Sequence, residues 1–209
     1  MRRNVDLNEI SDGKLYTSND MVKADCYECQ GCSACCRGMG KSIILDPIDL
    51  FHLKQATGKD FAGLLNQEIE LNVVDGMILP NLKMDPKTDA CPFLDENERC
   101  GIHAFRSGIC RLFPLGRLYE EEGFRYFLLT KECKKENRGK AYEQYISDWH
   151  QFLLTCEESI GELEKENIQI LTTYILRLFY QTPYEAEDDG SFYQEFYQRR
   201  EQVRKTLGI

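Results

Sequence analysis

The sequence predicts an α+β fold in which a small cysteine-rich metal-binding portion with short hairpins packs against a helical C-terminal layer. Three observations carry this. Two turn signals, Asp75-Gly76 and Glu121-Glu122-Gly123, each sit between runs of strand-forming residues. After Lys134 the apolar residues recur at three- and four-residue steps, the period of a helix with one buried face. Most of the ten cysteines lie before that change of pattern. The chain thus divides into a polar N-terminal segment over 1–25, a cysteine-cluster metal-binding domain over 26–133 and a helical region over 134–209.

The elements follow in order. Residues 1–25 read as irregular, with Lys14-Leu15-Tyr16 able to pair briefly. Lys41–Leu45 reads as a short strand. Asp46-Pro47 starts a helix, Asp as N-cap and Pro at the first helical position, and Thr57-Gly58 ends it. A second short helix fits Asp60–Glu68. Ile69–Lys83 forms a hairpin across Asp75-Gly76, and Leu115–Tyr119 pairs with Phe124–Leu129. In the C-terminal region Tyr142, Tyr145, Ile146, Trp149, Phe152, Leu153 and Cys156 make one apolar helix face. A further helix runs from Asn167 to Gln181, stopped by Thr182-Pro183, and a last one covers Phe192–Leu207.

Composition narrows the function. The net charge is −9 with no concentrated basic run, so nucleic acid is not an expected partner. No apolar stretch approaches the roughly 20 residues that span a bilayer, and the start lacks a secretory signal. The expected compartment is the cytoplasm, with no membrane partner. Thiols stay reduced there, so clustered cysteines point to metal or redox chemistry rather than to a disulfide framework.

The first cysteine block is Cys26-x2-Cys29-x2-Cys32-x2-Cys35, followed at once by Cys36. A C-x2-C turn aims both sulfurs at one centre. Zinc sites commonly use one such pair per half-site, whereas overlapping steps resemble the ferredoxin run that wraps a cluster. Side chains of adjacent residues diverge in extended backbone, so Cys35 and Cys36 are expected to serve different centres, or one of them to pack in the core. The second block supplies Cys91, Cys100, Cys110 and Cys133. Iron–sulfur, with a 4Fe–4S cluster favoured, is the first choice of cofactor, and Zn2+ is the alternative. The segments within 26–133 are expected to rely on sulfur ligation because they have few large apolar residues of their own.

Cys29-x2-Cys32-x2-Cys35-Cys36, Cys91-Pro-Phe-Leu, Cys100-x-Ile102 and Cys110-Arg111-x-Phe113-Pro114 together closely resemble the YkgJ-type cysteine cluster family, for which zinc or iron chelation is the expected role. The resemblance covers roughly residues 26–133. It implies eight metal ligands: Cys29, Cys32, Cys35, Cys36, Cys91, Cys100, Cys110 and, by the loosest match, Cys133. Here His103 stands where the family usually has Tyr, and Arg106-Ser107 where it has Arg-Pro; Cys26 and Cys156 lie outside the pattern. The cysteine cluster of flagellin lysine-N-methylases is more distantly similar, but no methyltransferase nucleotide-binding fingerprint is present.

Arg37, Arg106 and Arg111 adjoin cysteines and are candidate cofactor-binding residues, since guanidinium groups offset the anionic charge of thiolates. The bland alternative is ordinary surface ion pairs. His103 is a candidate mixed ligand or an outer hydrogen-bonding group; His52 and His150 read as structural or exposed. Cys156 reads as a core residue, and Cys26 as a spare ligand or surface thiol. Three functions follow: an iron–sulfur protein with a redox or cluster-dependent enzymatic role, a zinc-stabilised protein-interaction module, or a metal-delivery or storage protein. No Walker loop, nucleophile elbow or His-Glu-x-x-His motif is present, and the protein partner or substrate stays unidentified.

Overall fold

The computed structural model describes residues 6–22, 33–120, 123–129, 140–161 and 165–207. Cys26, Cys29, Cys32 and Cys133 lie outside them, as does the start of the helical region at Lys134. The architecture is α+β, with two separate two-stranded antiparallel sheets and a helical C-terminal region.

A four-residue helix, α1 (Leu7–Ile10), opens the described chain, capped by the Asp6 side chain. Its shortness leaves no periodic signal in the sequence. Tyr16 then bridges to Tyr126, which gives the brief pairing expected near Lys14-Leu15-Tyr16 a definite partner.

Helix α2 (Pro47–Thr57) is specified at both ends. Asp46 accepts from the Asp49 N–H while the Asp49 carboxylate accepts from the Asp46 N–H, a reciprocal capping box, and Gly58 ends the helix at φ 68°. The short helix α3 (Phe61–Leu65) leads into β1 (Ile69–Val74), which pairs with β2 (Met77–Leu82) across the Asp75-Gly76 turn. Lys41–Leu45 is not a full strand. It touches the other edge of β2 through Leu45 N–H to Pro80 O and Leu82 N–H to Ile43 O, with a single bridge at Ile44–Asn81. Pro80 has no N–H to donate, which cuts this third ladder short.

A short helix, α4 (Gly108–Leu112), precedes the second hairpin of β3 (Leu115–Tyr119) and β4 (Phe124–Leu128). The C-terminal layer comprises α5 (Lys140–Gly161), α6 (Lys165–Leu176) and α7 (Asp189–Leu207). Beyond Leu176 the chain widens into one π-helical turn, Arg177–Gln181. Buried Arg199 of α7 donates there to the carbonyls of Leu178, Thr182 and Pro183, satisfying groups that the widened turn releases. Helix α7 begins three residues earlier than the apolar pattern suggests, because Asp188 accepts from the Ser191 N–H at its start.

One hydrophobic cluster holds these parts. It takes Ile43, Leu45, Leu53, Ile69 and Leu79 from the N-terminal half and Tyr145, Trp149, Phe152, Phe179 and Phe196 from the helices. Trp149 packs on Phe179 at 4.9 Å between centroids, and Tyr145 meets Phe196 edge-on at 4.6 Å. Cys156 is fully buried on the same face of α5, as its spacing predicts. The expectation that the segments of 26–133 have few large apolar residues of their own therefore needs correction. Residues 43–82 supply much of the core, among them Ile43, Leu45, Leu53, Ile69 and Leu79, each fully buried large side chain contributing roughly 1.5–3 kcal/mol, and it is 33–42 and 84–110 that contain no fully buried large apolar side chain. His52 and His150 are both buried, the first bonded through Nε2 to Asp189 at 2.9 Å and the second stacked on Tyr119 at 3.6 Å. Among the described residues no helix is long and apolar enough to cross a membrane.

Candidate metal centre

The two cysteine-bearing stretches are stitched together by backbone. Cys91 N–H donates to Cys36 O at 2.7 Å, Gly38 N–H donates to Asp89 O at 2.9 Å, and Arg37 bridges to Ala90. The Asp89 side chain also accepts from the Gly40 N–H. Downstream, the Asp95 carboxylate accepts from the N–H groups of Asn97 and Arg99, curling the loop so that Leu94 bridges to Cys100 and Gly101 N–H reaches Phe93 O at 2.8 Å. A 3-10 turn at His103–Phe105 and helix α4 then bring Cys110 alongside.

Cys35, Cys36, Cys91, Cys100 and Cys110 consequently line one cavity of about 290 Å3, with Ile43, Leu53 and Leu82 forming part of its apolar wall. These five are thiols, not disulfides. The divergence expected of Cys35 and Cys36 does not occur. Ala34–Cys36 is a 3-10 turn rather than extended chain, and the two sulfurs lie 4.0 Å apart, both on the cavity. Sulfurs about 2.3 Å from one tetrahedral ion would be about 3.8 Å apart, so this pair is spaced to share an ion. Among the described residues no set of three or more His, Cys, Asp or Glu is gathered closely enough to hold a single ion.

Burial and nearby N–H groups act on these thiols in opposite directions. Burial is the main push on Cys91 and Cys110, each held up to about 11, and it raises Cys100 as well. Opposing that push, the Phe93 N–H favours the Cys91 thiolate and the Ile102 N–H favours that of Cys100. Each donor sits two residues after its cysteine, the arrangement that a Cys-Pro or Cys-Gly turn creates. Within the adjacent pair the two sulfurs can share one proton, either thiol donating to the other, so that one is held protonated while its neighbour ionises more readily. A bound metal ion would replace these protons and relieve the burial cost.

The three arginines separate. Arg106 lines the cavity, donates through Nε to His103 O at 3.1 Å, and its charge favours the thiolates of Cys35 and Cys100. Arg37 is paired with Glu98 at 2.8 Å, and Ser33 donates to the same carboxylate, which ties the first cysteine block to the cavity's edge. The charge of Arg111 acts instead on Asp189, away from the cavity wall. His103 is exposed on the cavity lining, with burial of its ring and Arg106 both disfavouring its protonated form. Sequence reasoning missed Asp49, Arg99 and Ser107. Arg99 and Ser107 line the cavity, and Asp49 bonds to the start of α4; none belongs to a ligand-type motif.

The donor set, five thiols with backbone and guanidinium donors around one cavity, fits a thiophilic metal. No curated protein and no solved structure matches the chain. The model of the CxxCxxCC family, described as "putative zinc- or iron-chelating domain", matches residues 28–145, more than half of the sequence. With Cys35, Cys36, Cys91, Cys100 and Cys110 within that span and lining one cavity, the chain belongs to the CxxCxxCC family.

Proposed function

We propose that this protein binds an iron–sulfur cluster through its cysteine cavity and uses it in a redox or cluster-dependent reaction. The observation that carries the reading is the convergence of five thiols on a cavity of about 290 Å3, which has room for several metal and sulfide atoms where a lone ion needs only the gap between four sulfurs. Cys35, Cys36, Cys91, Cys100 and Cys110 would hold the metal, with Cys29, Cys32 and Cys133 as the remaining ligands. A bound cluster would supply one-electron chemistry or a Lewis-acidic iron. The protein's own contribution is to exclude water on the Ile43, Leu53 and Leu82 side, to donate N–H groups to sulfur, and to balance charge with Arg106. The cytoplasm suits this reading, since it keeps clustered thiols reduced.

A second reading, a zinc-stabilised interaction module or metal-delivery protein, is favoured by one specific distance. The 4.0 Å between the Cys35 and Cys36 sulfurs suits two ligands of a single tetrahedral ion. Anaerobic purification followed by metal analysis and a visible spectrum distinguishes the two. Iron with inorganic sulfide and broad visible absorption supports the cluster. A colourless protein with stoichiometric zinc, a d10 ion, replaces it with the second reading while keeping the ligands.

A further inference from the structure

Helix α4 starts directly after Ser107, a residue type that ordinarily turns its hydroxyl onto the first free N–H groups of its own helix. Ser107 makes no such capping bond. The donor at the start of α4 is satisfied from elsewhere: Asp49 of α2, itself buried, accepts from the Gly108 N–H at 2.6 Å. Its other carboxylate oxygen is held by the Asp46 N–H at 3.1 Å, so the group is oriented by α2's own capping box. With the cap supplied by another helix, the Ser107 hydroxyl is left over.

That hydroxyl is not spent on solvent. Ser107 is 2% exposed, its Oγ has no hydrogen-bond partner among the described residues, and it lines the cysteine cavity. A buried hydroxyl without a partner is costly and calls for an acceptor. Cys110 lies three residues on, nearly one helical turn, and lines the same cavity. A metal-bound thiolate is anionic and accepts hydrogen bonds far better than a neutral thiol does.

We propose that Ser107 is a positioning residue of the metal centre, whose hydroxyl donates to the metal-bound sulfur of Cys110 and so sets how tightly that ligand is held. This rests on the metal-centre reading above. The device has two parts on two helices: Asp49 caps α4, and the cap it relieves becomes an outer hydrogen bond to a ligand.

The test compares the anaerobically isolated full chain with its Ser107→Ala and Ser107→Thr variants. Metal per chain, the rate of metal release to a chromogenic chelator and the energy of the thiolate-to-metal absorption are measured, the last after exchange for cobalt(II) if the native metal is zinc. Ser107→Ala is expected to keep its metal stoichiometry, to release metal about tenfold faster and to absorb at lower energy, because the sulfur has lost a donor. Ser107→Thr, which retains the hydroxyl, is expected to stay near the parent in all three. Identical behaviour of the parent and Ser107→Ala overturns the inference alone. Equal change in the Ala and Thr variants also overturns it, since the effect is then packing. A parent chain isolated without metal overturns the metal-centre reading itself.

Discussion

The Asp49 carboxylate and the Gly108 N–H, 59 residues apart in sequence, meet at 2.6 Å inside the protein. The bond couples a helix rooted in the core to the one that bears Cys110, and the same carboxylate completes the capping box of α2. Asp49→Ala deletes both functions and leaves a buried N–H unsatisfied. Stability is expected to fall by about 2–4 kcal/mol, the sum of a cap and a charge-assisted buried bond. Asp49→Asn keeps an acceptor and should cost less. Urea unfolding of both variants measures this, and a fall in the Ala variant no larger than an ordinary surface substitution gives would show that the bond does not join the two helices.

Serine replacement separates ligands from bystanders. Serine at Cys91, Cys100 or Cys110 is expected to abolish or sharply reduce metal content, because an alkoxide is a hard donor where a soft one is needed. Cys35→Ser and Cys36→Ser should remove the same metal atoms, as their sulfurs stand side by side on one cavity. Cys156→Ser should retain all metal while losing roughly 1–3 kcal/mol of stability, since it places a hydroxyl on a fully buried apolar face. Metal analysis of the six variants is the measurement. Retention of metal in both Cys35→Ser and Cys36→Ser would remove that turn from the site.

Much of this was legible from residues alone. Asp46-Pro47 and Gly58 mark the limits of α2, and Asp75-Gly76 sets the register of the first hairpin, because capping and turn chemistry act locally. The face of α5 from Tyr145 to Cys156 follows from helical period. What escaped notice depends on contacts distant in sequence. The proximity of the Cys35 and Cys36 sulfurs requires a 3-10 turn in place of extended chain, a choice settled by pairing of Cys36 with Cys91. Asp49 passed unnoticed beside the N-cap Asp46, because its bond to Gly108 spans 59 residues. Ser107 stood out only as a departure from the resembling family's Arg-Pro, and its significance appears only once Asp49 is seen to have taken over its capping role.

Removal of metal should loosen the molecule unevenly. The core cluster draws on α2, the β1–β2 hairpin and α5 to α7, none of which carries a cysteine of the cavity. Residues 33–42 and 84–110 contain no fully buried large apolar side chain; Gly38 N–H to Asp89 O and Cys91 N–H to Cys36 O join the two stretches, and Gly101 N–H to Phe93 O closes a loop within the second. After chelation under reducing conditions these three amides are expected to exchange with deuterium at least tenfold faster, an opening cheaper by about 1.4 kcal/mol. The amides of Leu45 and Leu82, which pair with Pro80 O and Ile43 O, should hold their protection. Uniform loss across both sets would mean that the metal supports the whole fold.

The metal-free chain should also show a distinct alkaline weakness. Burial holds Cys91 and Cys110 at about 11, against an ordinary thiol value of 9.0. Below about pH 9 both the folded and the unfolded chain keep these protons, so the two thiols add no pH dependence. Between about 9 and 11 the unfolded chain releases protons that the fold retains; the unfolded state then binds fewer protons, and stability falls as pH rises. Above about 11 this contribution levels off. Tyrosines and lysines titrate nearby, so the measurement is the difference in urea midpoint between the metal-free parent and a Cys91→Ala/Cys110→Ala double variant across that window. The parent is expected to lose stability more steeply. Metal-loaded protein should lack this component, because its thiolates are already ionised at neutral pH. Parallel midpoint curves for the metal-free parent and the double variant would show that burial does not keep these two sulfurs protonated, and that the cavity is wetter than its Ile43, Leu53 and Leu82 wall implies.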